Sequence, residues 1–207
     1  NISNHLALVW WLPEIGYNLL LFDYRGFGQS ASRPTRAGTI DDGHGALDYL
    51  LTRKDVDPDR IVAYGQSIGG AVATVVAAAR SEIRALIAET TFDSYRAIAT
   101  DHLSRKIYSR FLADKIVRAT IGSAHDPLEA IVALAPRPLL MIVAEEDQIC
   151  FPERGMELYE AAREPKSLWR VPQAGHLGIE RVASVELRRR VGDFLDAVCA
   201  SSARNSP

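Results

Sequence analysis

The stretch "AYGQSIGGAVA", Ala63 to Ala73, decides the reading of this chain. Ahead of it stands "IVAYG" (Ile61 to Gly65), an apolar run of strand length. Behind it comes "IGGAVATVVAAAR", apolar on every side, the pattern of a helix buried all round. Gly65, Gly69 and Gly70 crowd around Ser67 at the junction. Glycine weakens strands and helices alike, so local stability does not account for them. A sharp strand-to-helix turn does. It lifts the serine to its tip in a strained backbone conformation and leaves no room for side chains two positions to either side. Strain of this kind costs on the order of 1–3 kcal/mol and persists where it serves a function. The first turn of the following helix aims its free N–H groups and positive dipole end at the same spot. That makes the Ile68 N–H a natural oxyanion donor. The plainer alternative is a glycine-rich turn whose serine caps the helix.

On both sides of this turn, short apolar runs alternate with helical patterns. "NLLLFDY" (Asn18 to Tyr24), "IRALIAE" (Ile83 to Glu89), "PLLMIVAE" (Pro138 to Glu145) and the shorter "SLWRVPQ" read as strands. "DDGHGALDYLLTR" (Asp41 to Arg53), "ERGMELYEAAR" and "RVASVELRRRVGDFLDAV" read as helices. The alternation predicts an α/β fold, a mostly parallel sheet with helices on both faces. Residues 92–135 interrupt it with a longer, more charged stretch. A crossover helix plus a small lid is expected there, over the strand ends where open α/β sheets bind ligands. No internal repeat stands out, and "ASSARNSP" (200–207) reads as a frayed tail.

At 207 residues the chain fits one domain, 1–207, and 47% hydrophobic against 24% charged residues supports an ordinary buried core. A net charge of −2 provides no electrostatic case for nucleic acid or for an anionic membrane surface. The one basic run, "LRRR" (Leu187 to Arg190), falls in a helical pattern and reads as a solvated face. Cys150 and Cys199 are too few and too far apart for a disulfide scaffold or a CxxC metal site. Unpaired cysteines favour a reducing compartment, hence a cytoplasmic protein. No apolar run has the length of a membrane span. The chain opens at Asn1 without an initiator Met, so a longer natural N-terminus is expected, and membrane association stays open.

A serine needs a base, and the base an orienting carboxylate. Glu145, Glu146 and Asp147 stand together at the end of one predicted strand. Asp147, furthest into the loop, is the chosen orienter, with Glu146 the near alternative and Glu89 the remote one. His176, in "PQAGHLGIE" between the last strand and the last helix, is the chosen base. His5, His44, His102 and His125 lack such placement, although His102 and His125 fall in the lid region and are expected to border the pocket.

Taken together, the chain resembles the α/β-hydrolase superfamily over nearly all its length. "FDYRGFGQS" (Phe22 to Ser30) is similar to the D-x-R-G-x-G-x-S loop after an early strand in those enzymes, and Gly65 to Gly69 to their G-x-S-x-G elbow. "ETTFDSYRAIA", "APRPLLMIVAEEDQI" and "AGH" continue in register. The nearest likeness is to small-lidded serine hydrolases labelled α/β-hydrolase-domain proteins. The resemblance implies an α/β-hydrolase fold and a Ser67, Asp147, His176 triad acting on small-molecule or acyl-group substrates through an acyl-enzyme. It implies esters or thioesters, no cofactor, no metal and no nucleic acid. A peptidase of the same fold and a non-catalytic hydrolase-like module are the alternatives. Two departures stand out. Pro152 comes one position later after the acid than is usual. The chain also opens just after the loop that supplies the second oxyanion donor, so the fold is expected to be N-terminally truncated. One absent strand would lie between "NLLLFDY" and "IVAYG". Those two are expected to re-pair directly, to recruit a strand from another chain, or to leave the fold unstable.

Overall fold

The computed structural model describes residues 1–204. Helix α1 (Ile2–Val9) opens the chain, capped by the Asn1 side chain. Helix α2 (Arg36–Thr52) follows, its first turn held by the Thr35 hydroxyl, which accepts from the Gly38 N–H. Strand β1 (Ile61–Gln66) runs straight into helix α3 (Ile68–Ala79). Strand β2 (Ile83–Glu89), strand β3 (Leu139–Ala144), helix α7 (Pro152–Ala161), strand β4 (Lys166–Val171) and helix α8 (Ile179–Arg204) complete the alternation. Helices α4 (Tyr95–Ile107), α5 (Arg110–Thr120) and α6 (Pro127–Ala130) fill residues 92–135, where a crossover with a small lid was expected. Helix α8 bends at Ala183, where the backbone leaves helical geometry. It runs on to Arg204, and the rest of the expected tail, residues 205–207, lies outside the described residues.

The four strands form one parallel sheet in the order β1-β2-β3-β4. Every residue of β3 is buried, as expected for a parallel strand covered on both faces. Successive side chains alternate between two cores. Leu86, Ala88, Met141 and Val143 face one way, against Ile40 and Leu47 of α2, Val72 and Val76 of α3, and Leu158 of α7. Ile87, Leu140 and Ile142 face the other way, against Trp11, Trp169 and Leu187 and Val191 of α8. The arginines of the basic run are paired: Arg188 with Glu14 and Glu180, Arg189 with Glu186 and Asp193, Arg190 with Glu186.

One expected strand does not form. Asn18 to Tyr24 belongs to no strand, and it makes no direct pairing with β1. A ladder needs a neighbour about 4.8 Å away. Between this segment and β1 there is instead a cavity of ≈ 610 Å³, lined by Leu20, Phe22 and Tyr24 on one side and by Val62, Ala63 and Tyr64 on the other. β1 is therefore an edge strand, and Leu20 and Phe22 are each 37% exposed.

Met141 lies in the middle of β3 with no exposure, so Met141→Ala leaves a hole that the sheet cannot close. It should cost about 2–5 kcal/mol in urea denaturation. Val185→Ala, at an 81% exposed position on α8, should stay within about 0.5 kcal/mol of the parent.

Candidate active site

Ser67 sits at the tip between β1 and α3 with φ 55° and ψ −126°, a strained conformation for a side-chain-bearing residue. Its side chain makes no capping bond to the helix, so capping does not explain the serine. Close packing explains two of the three glycines. A β-carbon on Gly65 would lie 2.2 Å from the Gly69 carbonyl oxygen, and one on Gly70 would lie 2.6 Å from the Thr91 Cβ. Gly69 differs from the expectation: a β-carbon there meets nothing nearer than the Tyr24 hydroxyl at 3.8 Å. The turn is pinned to β2 from both ends. The Ser67 N–H donates to the Glu89 carbonyl at 3.0 Å, and the Thr91 hydroxyl donates to the Ser67 carbonyl at 2.8 Å. The Ile68 N–H, first in α3, has no acceptor among the described residues, as the start of a helix leaves it.

Asp147 lies in the loop after β3 and is 1% exposed. Burying a carboxylate is expensive unless hydrogen bonds replace its water. Here the Ile149 and Cys150 N–H groups donate to Oδ1 at 2.8 and 2.9 Å. His176 Nδ1 lies 2.8 Å from Oδ2. The two other acids of the strand end are turned elsewhere: Glu145 pairs with Arg170 at 3.0 Å, and Glu146 is exposed. The loop closes on Pro152, first residue of α7, so the late proline begins a helix.

Asp147 and His176 are thus brought together, while Ser67 and His176 share no hydrogen bond among the described residues. The Ser67 hydroxyl instead lies 3.7 Å from the Cys150 sulfur. Sequence reasoning missed this neighbour, because only the folded loop carries Cys150 to the elbow. Burial, against Phe92 and Ala71, pushes the Cys150 thiol up to about 11. Glu89 is also buried, directly beneath the elbow. It accepts from the Tyr64 hydroxyl and, at 3.1 Å, from Gln66 Nε2. Burial raises its pKa above the ordinary carboxylate value, against the hydrogen bonds from Tyr64 and Gln66, which lower it. Glu89 does not contact His176 through any hydrogen bond, so the remote alternative for the orienting acid is not the one bonded to the imidazole. His102 reaches the acid loop, with Nε2 2.9 Å from the Ile149 carbonyl, whereas His125 is exposed and makes no such contact. Neither lines the cavity beside β1, which reaches Gln66, Ile68 and Gly69 around the elbow. No group of three or more His, Cys, Asp or Glu is arranged to hold a metal among the described residues, and no described helix is long and apolar enough to cross a membrane.

The profile of the prolyl oligopeptidase family matches residues 8–202. The uncharacterised protein YfhR of Escherichia coli K12 is 38% identical over 179 residues, 86% of this chain but 59% of that protein. The chain thus spans under two thirds of the length of that relative. Among solved structures, the α/β hydrolase GrgF from Penicillium sp. sh18 superposes with a TM-score of 0.74 at 21% identity, over 94% of this chain and 84% of that one. The Pyrococcus furiosus esterase Pf2001 reaches 0.73 at 23% identity, over 90% and 72%.

Two outcomes follow from the elbow geometry. Gly65→Ala forces a β-carbon into a backbone carbonyl and should cost more than about 2 kcal/mol in thermal or urea unfolding. Gly69→Ala should be tolerated or stabilise by up to about 1 kcal/mol, since alanine is the better helix former. The Cys150 thiol stays protonated well above neutral pH, and only the thiolate is nucleophilic. Iodoacetamide at about pH 8 should therefore modify the part-exposed Cys199 first and Cys150 only on unfolding, as read by peptide mass spectrometry.

Proposed function

The chain belongs to the prolyl oligopeptidase family and has the α/β-hydrolase fold, and from that premise we propose that it is a serine hydrolase cleaving carboxylic esters or thioesters. The observation that carries the reading is the buried Asp147 carboxylate bonded to His176 Nδ1 at 2.8 Å, next to a serine held at positive φ. That bond keeps the proton on Nδ1 and leaves the Nε2 lone pair to act as base. Ser67 is the nucleophile. Its hydroxyl, which rests 3.7 Å from the Cys150 sulfur, must turn to Nε2, and such hydrogen bonds commonly tighten only when substrate arrives. Oγ adds to the acyl carbonyl while Nε2 takes its proton. The Ile68 N–H stabilises the oxyanion; one such donor is worth about 10²–10³ in rate. The protonated His176 then gives its proton to the departing alcohol or thiol. Water, deprotonated by Nε2, attacks the acyl-enzyme; the acid departs and the proton on Nε2 returns to Ser67 Oγ. The cycle uses only proton transfers and addition to a carbonyl, and it invokes no metal or cofactor.

We assign residues 1–207 to one catalytic domain, with the helices of residues 92–135 as its lid. Esters are favoured by the likeness to Pf2001, which is described as an esterase. The family's name favours peptide bonds instead, as a second reading. A fluorophosphonate probe should label the protein at Ser67, and Ser67→Ala should abolish labelling. Asp147→Asn should lower kcat on p-nitrophenyl esters by about 10⁴. Labelling that survives Ser67→Ala would place the reactive nucleophile at another residue, and folded protein that neither labels nor turns over would leave a non-catalytic module. Faster turnover of peptide amides than of matched esters and thioesters would make it a peptidase.

A further inference from the structure

The hairpin of α4 and α5 presents apolar side chains that its own packing does not use. Helix α5 buries Ala113 and Val117 against the protein. Its outer side carries Phe111, 72% exposed, with Leu112 and Ile116 one turn apart, at 48% and 41%. Tyr108 occupies the turn between the helices with φ 55° and is 94% exposed. Four large apolar or aromatic residues on one tip form a patch of the kind that marks a binding surface.

Charge says what would cover it. Between Tyr95 and Thr120 there are six Lys and Arg residues against two Asp, in a chain whose net charge is −2; four of the six, Arg105, Lys106, Arg110 and Lys115, flank the turn at Tyr108, and Arg96 and Arg118 lie at the other end of the hairpin. Both aspartates are already neutralised: Asp101 is held by Arg110 and Arg154, and Asp114 by Arg118. Lys115 leans over the Phe111 ring at 4.4 Å, which sets an ammonium at the margin of the patch. Lys106 is exposed, with no ion-pair partner among the described residues. The average charge of the chain thus conceals a segregated basic, apolar tip.

We propose that this tip docks on an anionic lipid bilayer. A short helix whose apolar side sinks to the acyl boundary, ringed by lysines reaching headgroups, is the build of an interfacial helix. Tyr and Phe sit well at that depth. A protein partner suits the tip less, because lysine is depleted from protein–protein interfaces. The hairpin also braces the acid loop. His102 lies 2.9 Å from the Ile149 carbonyl oxygen, and Arg105 donates to the Gln148 side chain at 3.1 Å. A bilayer under the tip therefore lies at the same end of the protein as Asp147. If the hydrolase reading holds, lipid-dissolved acyl substrates are presented at that end.

The test is co-sedimentation of the protein with vesicles of phosphatidylcholine alone and with vesicles carrying about a quarter phosphatidylserine. The parent should bind the second kind, and about 0.5 M NaCl should weaken that binding. Phe111→Ala, Leu112→Ala and Ile116→Ala combined should cut binding at least about tenfold. Alanine is the best helix former, and circular dichroism checks that α5 persists. Lys106→Glu with Lys115→Glu should remove the preference for phosphatidylserine. Failure of the parent to bind either vesicle, or undiminished binding by the triple variant, overturns the proposal. So does a parent dimer that the triple variant converts to monomer without any vesicle binding, which would make the patch a contact between two copies. No substrate enters the assay, so a negative result leaves the hydrolase reading standing, and an inactive protein that binds vesicles sinks only that reading.

Discussion

At Gly65 the last turn of β1 passes so close to the first turn of α3 that no β-carbon fits between them. The rest of the site is arranged around that contact. The reversal at Ser67 takes positive φ, leaves the serine half-buried at the turn and leaves the Ile68 N–H without an acceptor among the described residues. Such a turn would relax if left alone, since backbone strain is retained only when its surroundings over-determine it. Here the end of β2 and the residues just after it supply the restraint. The Glu89 carbonyl and the Thr91 hydroxyl grip the two ends of Ser67, and Gly70 lets Thr91 come close enough to do so.

The acid loop solves a different problem by similar means. A carboxylate as buried as that of Asp147 needs donors, and the loop provides two from its own backbone. Those two bonds fix Oδ1, which leaves Oδ2 aimed at His176. The same fold of the loop carries Cys150 to the Ser67 hydroxyl. Orientation of the base and the resting position of the serine therefore derive from one five-residue segment, Asp147 to Phe151. The hairpin of α4 and α5 packs on that segment through His102 and Arg105.

Features that rest on residue chemistry at a fixed spacing were legible in the sequence. The crowding at Gly65 and the buried strands of β2 and β3 are of that kind, as is the place of Asp147 and His176 after their strands. Features that rest on a neighbour were not. "NLLLFDY" has the composition of a strand, but composition does not say whether a ladder partner stands beside it, and here a cavity does. Gly69 looks equivalent to Gly65 in the motif, yet a β-carbon there would meet only the Tyr24 hydroxyl, at an ordinary contact distance of 3.8 Å. Cys150 reads as an isolated thiol until the loop folds. A net charge of −2 is a sum, and sums hide the basic tip of the hairpin.

The position of β1 has a mechanical consequence. The strand that bears Ser67 is supported from one side only, by β2, where the opposed side chains of Gln66 and Glu89 add a tie to the backbone ladder. Asp147, by contrast, follows β3, which is paired on both sides. Alignment of the two halves of the site therefore depends on how firmly β1 is clamped. Extended backbone laid along the cavity side of β1 would clamp it without touching a single catalytic atom.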